Sequence, residues 1–418
     1  MNIGITAADF SGNKGAAAML QSIIKNTYSI ENTYKLFSVY PNSDKEQNPY
    51  KNLDVVSTKP EQIIFITFPL AILFYIFKWL KPIKILLLKN KILKNFYECD
   101  LVIDAAGISF VDSRGFIMNT YNFICTATPI LVGTKVVKFS QAMGPFHSFF
   151  NRVWAKLILP KIEVICARGE ITKKQLESLG LNNIELCADG AFVMPDEDEA
   201  TRYVNEIVNN DNFYNSKVIG LSLSSVVQGY CDKNNLDYNG IMVNFIEYLN
   251  KKSYGVLIIA NAARKGKSKP KNNDLIVCQE VYDRLNNKEM CRWYNEEFTP
   301  EIIRELISKT HILVASRFHA MIGALEKKTP VLLVGWSHKY KEVLDMFDIG
   351  EYAIDYKKLE LNILINEFEK LETQYDTVKE KISTNLLNVK KSSYKNIEII
   401  NKLILEVKGS EKNEIFQR

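Results

Sequence analysis

Residues 311–336, HILVASRFHAMIGALEKKTPVLLVGW, decide how this chain of 418 residues is read. The stretch opens on an apolar, β-branched run, Ile312, Leu313 and Val314, and closes on another, Val331 to Val334; both have the length of buried strands. Between them Met321, Ile322, Ala324 and Leu325 recur at helical spacing, and Thr329-Pro330 stops the helix. The unit reads as strand, helix, parallel strand. Ligands collect at the carboxyl end of the first strand of such a unit, where the next helix turns its unpaired N–H groups and positive dipole end outward. Arg317 and His319 stand at that place.

An arginine there offers a planar fork to a carboxylate or phosphate, and a histidine two residues on carries a proton that moves near neutral pH. Together they predict a site for an anion on which acid–base chemistry is done. The plainer alternative is a surface arginine beside a histidine that caps or underlies the helix. The switch-point position of the pair favours the site.

SRFHA, preceded by ELISKTHILVA and followed by PVLLVGWSHKY, resembles the signature of the polysaccharide pyruvyltransferases, which move an enolpyruvyl unit from phosphoenolpyruvate onto a sugar to form a pyruvate ketal. Further matches lie along the chain. GNKGAAAM is similar to the family's N-terminal loop and brings in Asn13 and Gly15, although Ala16 and Ala17 stand where relatives carry an acid. KVVKFSQAMGPF supplies Gln141, and ELCADGAFVMP supplies Asp189. Lys339, in the SHKY that follows the last strand, joins Asn13, Gly15, Gln141 and Asp189 as a substrate-binding residue on the strength of the resemblance. The loop after the strand at Leu101 carries Ala105-Ala106-Gly107 where relatives have a glycine cluster.

Composition frames these motifs. A chain this long exceeds what one core serves, and 47% apolar with 24% charged residues is globular. A net charge of +5 does not point to nucleic acid. Seven scattered cysteines without a CxxC pair argue for a reducing compartment and against a structural zinc. The opening MNIGITAA has no signal-peptide pattern, so a cytoplasmic protein is expected.

Taken in order, Ile3 to Ala7 read as a strand, Asp9 to Gly15 as a glycine-containing loop, and Ala16 to Lys25 as a helix. Residues 63–93 are apolar to Phe77, divided by Pro69, then laced with lysines. Too short to span a bilayer comfortably, the stretch fits either a segment lying in an anionic membrane surface, reached from the inner face of the cell membrane, or a buried core helix. Arg168 repeats the setting of Arg317: strand end, guanidinium, helix start. Two such arginines could clasp one dianion, or Arg168 could form a structural pair with Glu170 or Asp189. DEDE at 196–199 reads as the solvated first turn of a helix and not as a metal site. The loop after Ala260, with Arg264, Lys265, Lys267, Lys269 and Lys271, reads as a cationic flap or a plain soluble loop.

Two successive αβ runs predict an α/β protein of two Rossmann-like domains facing across a cleft, GT-B-like, which the resemblance also implies. Domains are expected at 1–195 and 212–356, helices at 357–407, and a disordered tail at 408–418. The resemblance implies pyruvyl transfer from phosphoenolpyruvate to a sugar of a cell-surface polysaccharide or its lipid-linked precursor. In it Arg317 and Arg168 bind the donor and His319 is the catalytic acid, with no metal and no cofactor beyond the donor. Two other readings stay open: a GT-B glycosyltransferase using a nucleotide sugar, and a membrane-associated glycan-binding protein without catalysis.

Overall fold

The computed structural model describes residues 1–264, 272–335 and 338–416, the side chains of 338, 339 and 409–416 excepted. Its first two strands, β1 (Asn2–Thr6) and β2 (Gly12–Asn13), belong to different units. One compact unit comprises Met1–Phe10, Met19–Val193 and Lys391–Arg418; the other comprises Ser11–Ala18 and Met194–Lys390.

In the first unit β1 joins β3 (Thr33–Ser38), β4 (Leu53–Ser57), β5 (Leu101–Asp104), β6 (Lys135–Gln141), β7 (Val164–Arg168) and β8 (Ile184–Cys187). The sheet has seven strands in the order β4-β3-β1-β5-β6-β7-β8, all parallel. Most of these strands are buried along their length, as expected where helices cover both faces. The second unit holds β9 (Val218–Ser222), β10 (Gly255–Ile258), β11 (Ala262–Ala263), β12 (Cys291–Trp293), β13 (Ile312–Ala315), β14 (Val331–Gly335) and β15 (Ala353–Asp355). Six of them form a parallel sheet, β12-β10-β9-β13-β14-β15, and β11 pairs with β2 in a separate antiparallel ribbon. Each unit is thus a doubly wound, Rossmann-like α/β layer.

The expected boundary near 195 falls between Val193 and Met194, and a buried side chain fixes it. Arg304, on the helix Pro300–Ser308, donates to the carbonyls of Met194 (2.6 Å) and Pro195 (2.9 Å) and to Asp196 Oδ1 (2.6 Å). Asp196, the first acid of DEDE, is therefore part of an ion-pair cluster with Arg304 and Lys327 (2.8 Å). Among the described residues no group of three or more His, Cys, Asp or Glu is placed to hold a metal ion. At the other end, Ser393 Oγ donates to Asp189 O (2.6 Å) and Asn396 Nδ2 to Ala188 O (3.0 Å), both side chains fully buried. These bonds explain why 391 onward returns to the first unit. The last helix runs Tyr375–Phe416, so helix continues where a disordered tail was expected from 408.

Pro69 does not break its helix. The run from Pro60 to Phe77 is continuous, and a π-helical turn at Ile63–Thr67 comes immediately before the proline, with the Phe68 N–H bonded to Ile63 O. A widened turn relieves the clash of a proline ring with the carbonyl four residues back. Ile63, Thr67, Ala71 and Phe74 form one buried stripe against the core of the first unit, and Phe65, Ile66, Ile72, Leu73 and Ile76 are exposed. The stretch is thus neither wholly core nor wholly free.

Arg304→Met leaves Glu326, also buried, without the guanidinium 3.6 Å from it, and takes the arginine donors from the carbonyls of Met194 and Pro195, while Asp196 keeps Lys327. A loss of about 3 kcal/mol is expected. It is read as a lower urea midpoint for the variant; an unchanged midpoint would show that the boundary does not depend on this contact.

Candidate functional site

Strand order in the second unit reverses between β9 and β13, and the residues that follow these two strands flank the crevice that such a reversal opens. Arg317 follows β13 and is the N-cap of the nine-residue helix Phe318–Glu326, at φ −122 and ψ 134. Ser316, just before it, is fixed twice: its N–H donates to Ser222 O (2.8 Å) and its Oγ accepts from the buried Tyr238 hydroxyl (2.9 Å). His319 sits in the first helical turn, half-buried, its ring edge-on to Phe318.

The guanidinium of Arg317 is held by Asp274, whose side chain is fully buried. Arg317 Nε donates to Oδ2 (2.8 Å), and Nη2 donates to Oδ1 (2.5 Å) and to Ser225 Oγ (3.3 Å). The same carboxylate accepts the backbone N–H groups of Ser225 (2.9 Å) and Ala262 (2.8 Å). Burial on its own would lower the arginine pKa; the adjacent carboxylate outweighs it and holds the pKa above the ordinary value. With Nε and Nη2 engaged, Nη1 is, among the described residues, the donor left for a ligand anion.

Asp274 was not singled out from the sequence. Its one local mark is Asn273-Asp274 at the head of the helix Asp274–Asp283, an ordinary helix start, and nothing in spacing links it to Arg317 forty-three positions on.

The glycine-containing loop expected in the first domain belongs here instead. β2 pairs with β11 through Asn13↔Ala262 and Gly12↔Ala263, and the Lys14 N–H donates to Asn261 O (3.1 Å). A two-residue antiparallel ribbon leaves no periodicity in a sequence, which is why it was invisible there. Asn13 Oδ1 accepts the Gly15 N–H (3.0 Å) and fixes the turn. A Cβ on Gly15 would overlap the His319 ring, and one on Gly12, at φ +96, would overlap the Arg264 guanidinium. Glycine is needed at both places because side chains of the second unit lie against the backbone. Ala17, next along the helix, is buried. Asn13, Gly15, Arg317 and His319 are thereby brought together in one unit. His311, at the opposite end of β13, pairs with Glu372 (2.8 Å) and lies outside this group.

Three further expected residues, Arg168, Asp189 and Gln141, belong to the first unit. Arg168 Nη1 meets Asp189 Oδ2 at 2.8 Å, both side chains buried, so the structural pair with Asp189 is formed. Gln141 is fully buried: its Nε2 donates to Asp104 O (2.7 Å) and Oδ1 (2.9 Å), and its Oε1 accepts from Ser109 Oγ (2.5 Å). These bonds tie it to the end of β5 and to the loop that follows. Lys138 Nζ, also fully buried, completes the cluster on Asp104 Oδ2 (2.5 Å). Ala7, directly after β1, Phe110, in the loop that follows β5, and Ser140, next to last in β6, adopt left-handed backbone at φ +58, +50 and +51, strain that local bonding must hold. The side chains of Lys339, Lys265, Lys267, Lys269 and Lys271 lie outside the described residues.

Comparison with known proteins agrees with this geometry. Residues 13–338 match the family model described as polysaccharide pyruvyl transferase. The amylovoran biosynthesis protein AmsJ of Erwinia amylovora is 22% identical over 291 residues, covering 66% of this chain and 68% of that protein. Among solved structures, UDP-GlcNAc 2-epimerase from Neisseria meningitidis superposes with a TM-score of 0.57 at 14% identity, covering 97% of this chain and 100% of that one. The trehalose-6-phosphate synthase OtsA gives 0.59 at 9% identity, covering 98% and 99%. At such identities these structures speak for the fold alone, which is of the GT-B class. The matched span includes the Gly15 loop, Asp274, Arg317 and His319, and the chain belongs to the polysaccharide pyruvyl transferase family.

Proposed function

We propose that the protein transfers a pyruvyl unit from phosphoenolpyruvate to two hydroxyls of one sugar in a cell-surface polysaccharide or its lipid-linked precursor. The observation that carries this reading is the pairing of a fixed guanidinium and an imidazole in one helix turn, Arg317 on Asp274 and His319 against Gly15, in a chain of this family.

Arg317 binds an anionic oxygen of the donor, and its charge stabilises negative charge there as phosphate departs. His319 delivers a proton to the methylene carbon, and the electron pair of the carbon–carbon double bond forms the new C–H bond. The neighbouring carbon becomes cation-like and is attacked by one sugar hydroxyl, whose proton returns to the imidazole. The carbon–oxygen bond to phosphate breaks, the second hydroxyl adds to the same carbon, and its proton leaves with phosphate. Donor and diol become ketal and inorganic phosphate, with no redox change. The buried Arg168–Asp189 pair is given no step. No cofactor is required by this scheme.

Phosphate release from phosphoenolpyruvate on addition of candidate lipid-linked sugars tests the reading. Thermal stabilisation by phosphoenolpyruvate is expected, and stabilisation by UDP or GDP sugars with none by phosphoenolpyruvate would replace it with the glycosyltransferase reading. Arg317→Lys keeps the charge and loses the fork, so KM for the donor should rise about tenfold or more with kcat less affected. His319→Ala should lower kcat by roughly 100-fold or more with donor binding nearly kept. Near-normal turnover would return His319 to a packing role.

Two positioning residues give sharper outcomes. Asp274→Asn offers one acceptor oxygen where two now serve Arg317, and should raise KM in the manner of Arg317→Lys. Gly15→Ala forces the His319 ring aside and should lower kcat while donor-induced stabilisation persists. A Gly15→Ala enzyme with unchanged kcat would show that the ring's place against this loop is immaterial.

A further inference from the structure

The first unit carries an apolar surface that neither its fold nor the proposed chemistry uses. Three helices, Phe68–Phe77, Gly115–Leu131 and Phe149–Ile158, form one layer, because Phe68, Phe123, Ile130 and Leu131 pack into both adjoining core clusters. Phe68 meets Phe123 edge-on at 6.2 Å, and Phe123 lies 4.6 Å from Trp154. The outward sides of these helices are apolar as well. Phe65, Trp79, Ile117 and Phe149 are 75%, 74%, 83% and 72% exposed, and Ile76, Phe116 and Phe150 are about half exposed. Phe116 and Phe150 touch at 4.9 Å between ring centroids, so the first turns of two sequence-distant helices share one aromatic knuckle.

A helix apolar on all sides needs apolar surroundings on all sides. Pro60–Phe77 has mean hydropathy 1.7 and is only 22% buried, so its core contact satisfies a minority of it. The length and composition would serve a membrane span. The stripe Ile63, Thr67, Ala71 and Phe74 is committed to the core of the unit, however, and that leaves the helix lying flat with one side outward. An exposed patch this large marks an interaction surface.

Charge selects the partner. From Gln62 to Tyr97 the chain has six lysines and no acid, and from Ser113 to Ile162 it has Arg114, Lys135, Lys138, Arg152, Lys156 and Lys161 and again no acid. Lys78, Lys81, Lys89, Lys91, Lys94, Arg152 and Lys156 are exposed. The bordering acids include Asp112, whose carboxylate is turned onto the N–H groups of His147 (2.7 Å) and Ser148 (3.2 Å), and Glu98, which pairs with Lys35 (2.9 Å); Glu61 is exposed. A second copy would oppose one basic face with another. An apolar floor ringed by lysine and arginine fits an anionic lipid headgroup layer, with Trp79 and Tyr75 suited to its interface.

We propose that these helices, together with Lys81–Leu87 and its exposed Ile85 and Leu86, form one face that seats the first unit in the surface of an anionic bilayer without crossing it. This proposal stands apart from the pyruvyl-transfer reading, since no residue of the Arg317 site belongs to the face.

Flotation of the full chain with vesicles of phosphatidylcholine alone or with phosphatidylglycerol tests it. The protein should float with the anionic vesicles, partly detach at high salt, and bind the zwitterionic ones weakly. Ile117→Glu with Phe149→Glu, at exposed positions, and separately Lys78→Glu with Lys81→Glu and Lys89→Glu, should each lower partitioning at least about tenfold, with melting temperature unchanged. Two variant sets, one apolar and one basic, guard against misfolding of either. Retention of the native protein in the soluble fraction with anionic vesicles would overturn the proposal, and so would equal flotation by both variant sets. A concentration-dependent dimer abolished by Ile117→Glu and Phe149→Glu, without lipid binding, would assign the face to a second copy instead.

Discussion

One buried carboxylate organises the second unit's site. Asp274 accepts from Ser225 after β9, from Ala262 after β10 and from Arg317 after β13, so the segments following three adjacent parallel strands are tied to two oxygen atoms. A buried carboxylate is costly unless its oxygens are saturated and its charge is matched, and both conditions are met here. The same arrangement makes Arg317 rigid before any ligand arrives. A fork already immobilised loses less freedom on binding than a surface arginine does, and this favours tight geometry over mere attraction.

The glycine loop depends on the same hub at one remove. Asp274 fixes the Ala262 N–H, Ala262 and Ala263 pair with Asn13 and Gly12, and the turn closed by Asn13 Oδ1 sets Gly15 against His319. A segment eleven residues from the start of the chain is therefore built into the unit that begins at Met194. The first unit shows a parallel economy of means. Asp104 collects Lys138, Gln141 and Thr126, and the bulge in β6 that strains Ser140 turns Gln141 inward to reach it.

What was legible from the sequence followed local periodicity. The βαβ unit at 311–336 appears as β13, a helix and β14, and Arg317 and His319 stand at the predicted switch point, because short buried strands and an N-terminal helix turn leave marks within a few residues. The family also was readable, since SRFHA and its flanks are contiguous. Asp274 was not readable, because a carboxylate that reaches across forty-three residues obeys no period. Nor were β3 and β4, whose partly exposed patterns carry no motif. Gln141 lies in a readable motif, but its bonds to Asp104 and Ser109, across thirty-seven and thirty-two residues, leave no local mark. The apolar stretch at 63–93 posed a choice between core and surface that sequence could not resolve, since a single helix does both on opposite sides.

In the proposed mechanism the helix turn carrying Arg317 and His319 performs protonation of an enol phosphate with loss of phosphate. Mass spectrometry of the product formed in deuterium oxide addresses it most directly. Proton delivery to the methylene carbon predicts a pyruvyl ketal carrying one deuterium in its methyl group, formed together with one equivalent of phosphate. A glycosylated product with release of a nucleotide, or a ketal methyl without deuterium, would contradict this mechanism.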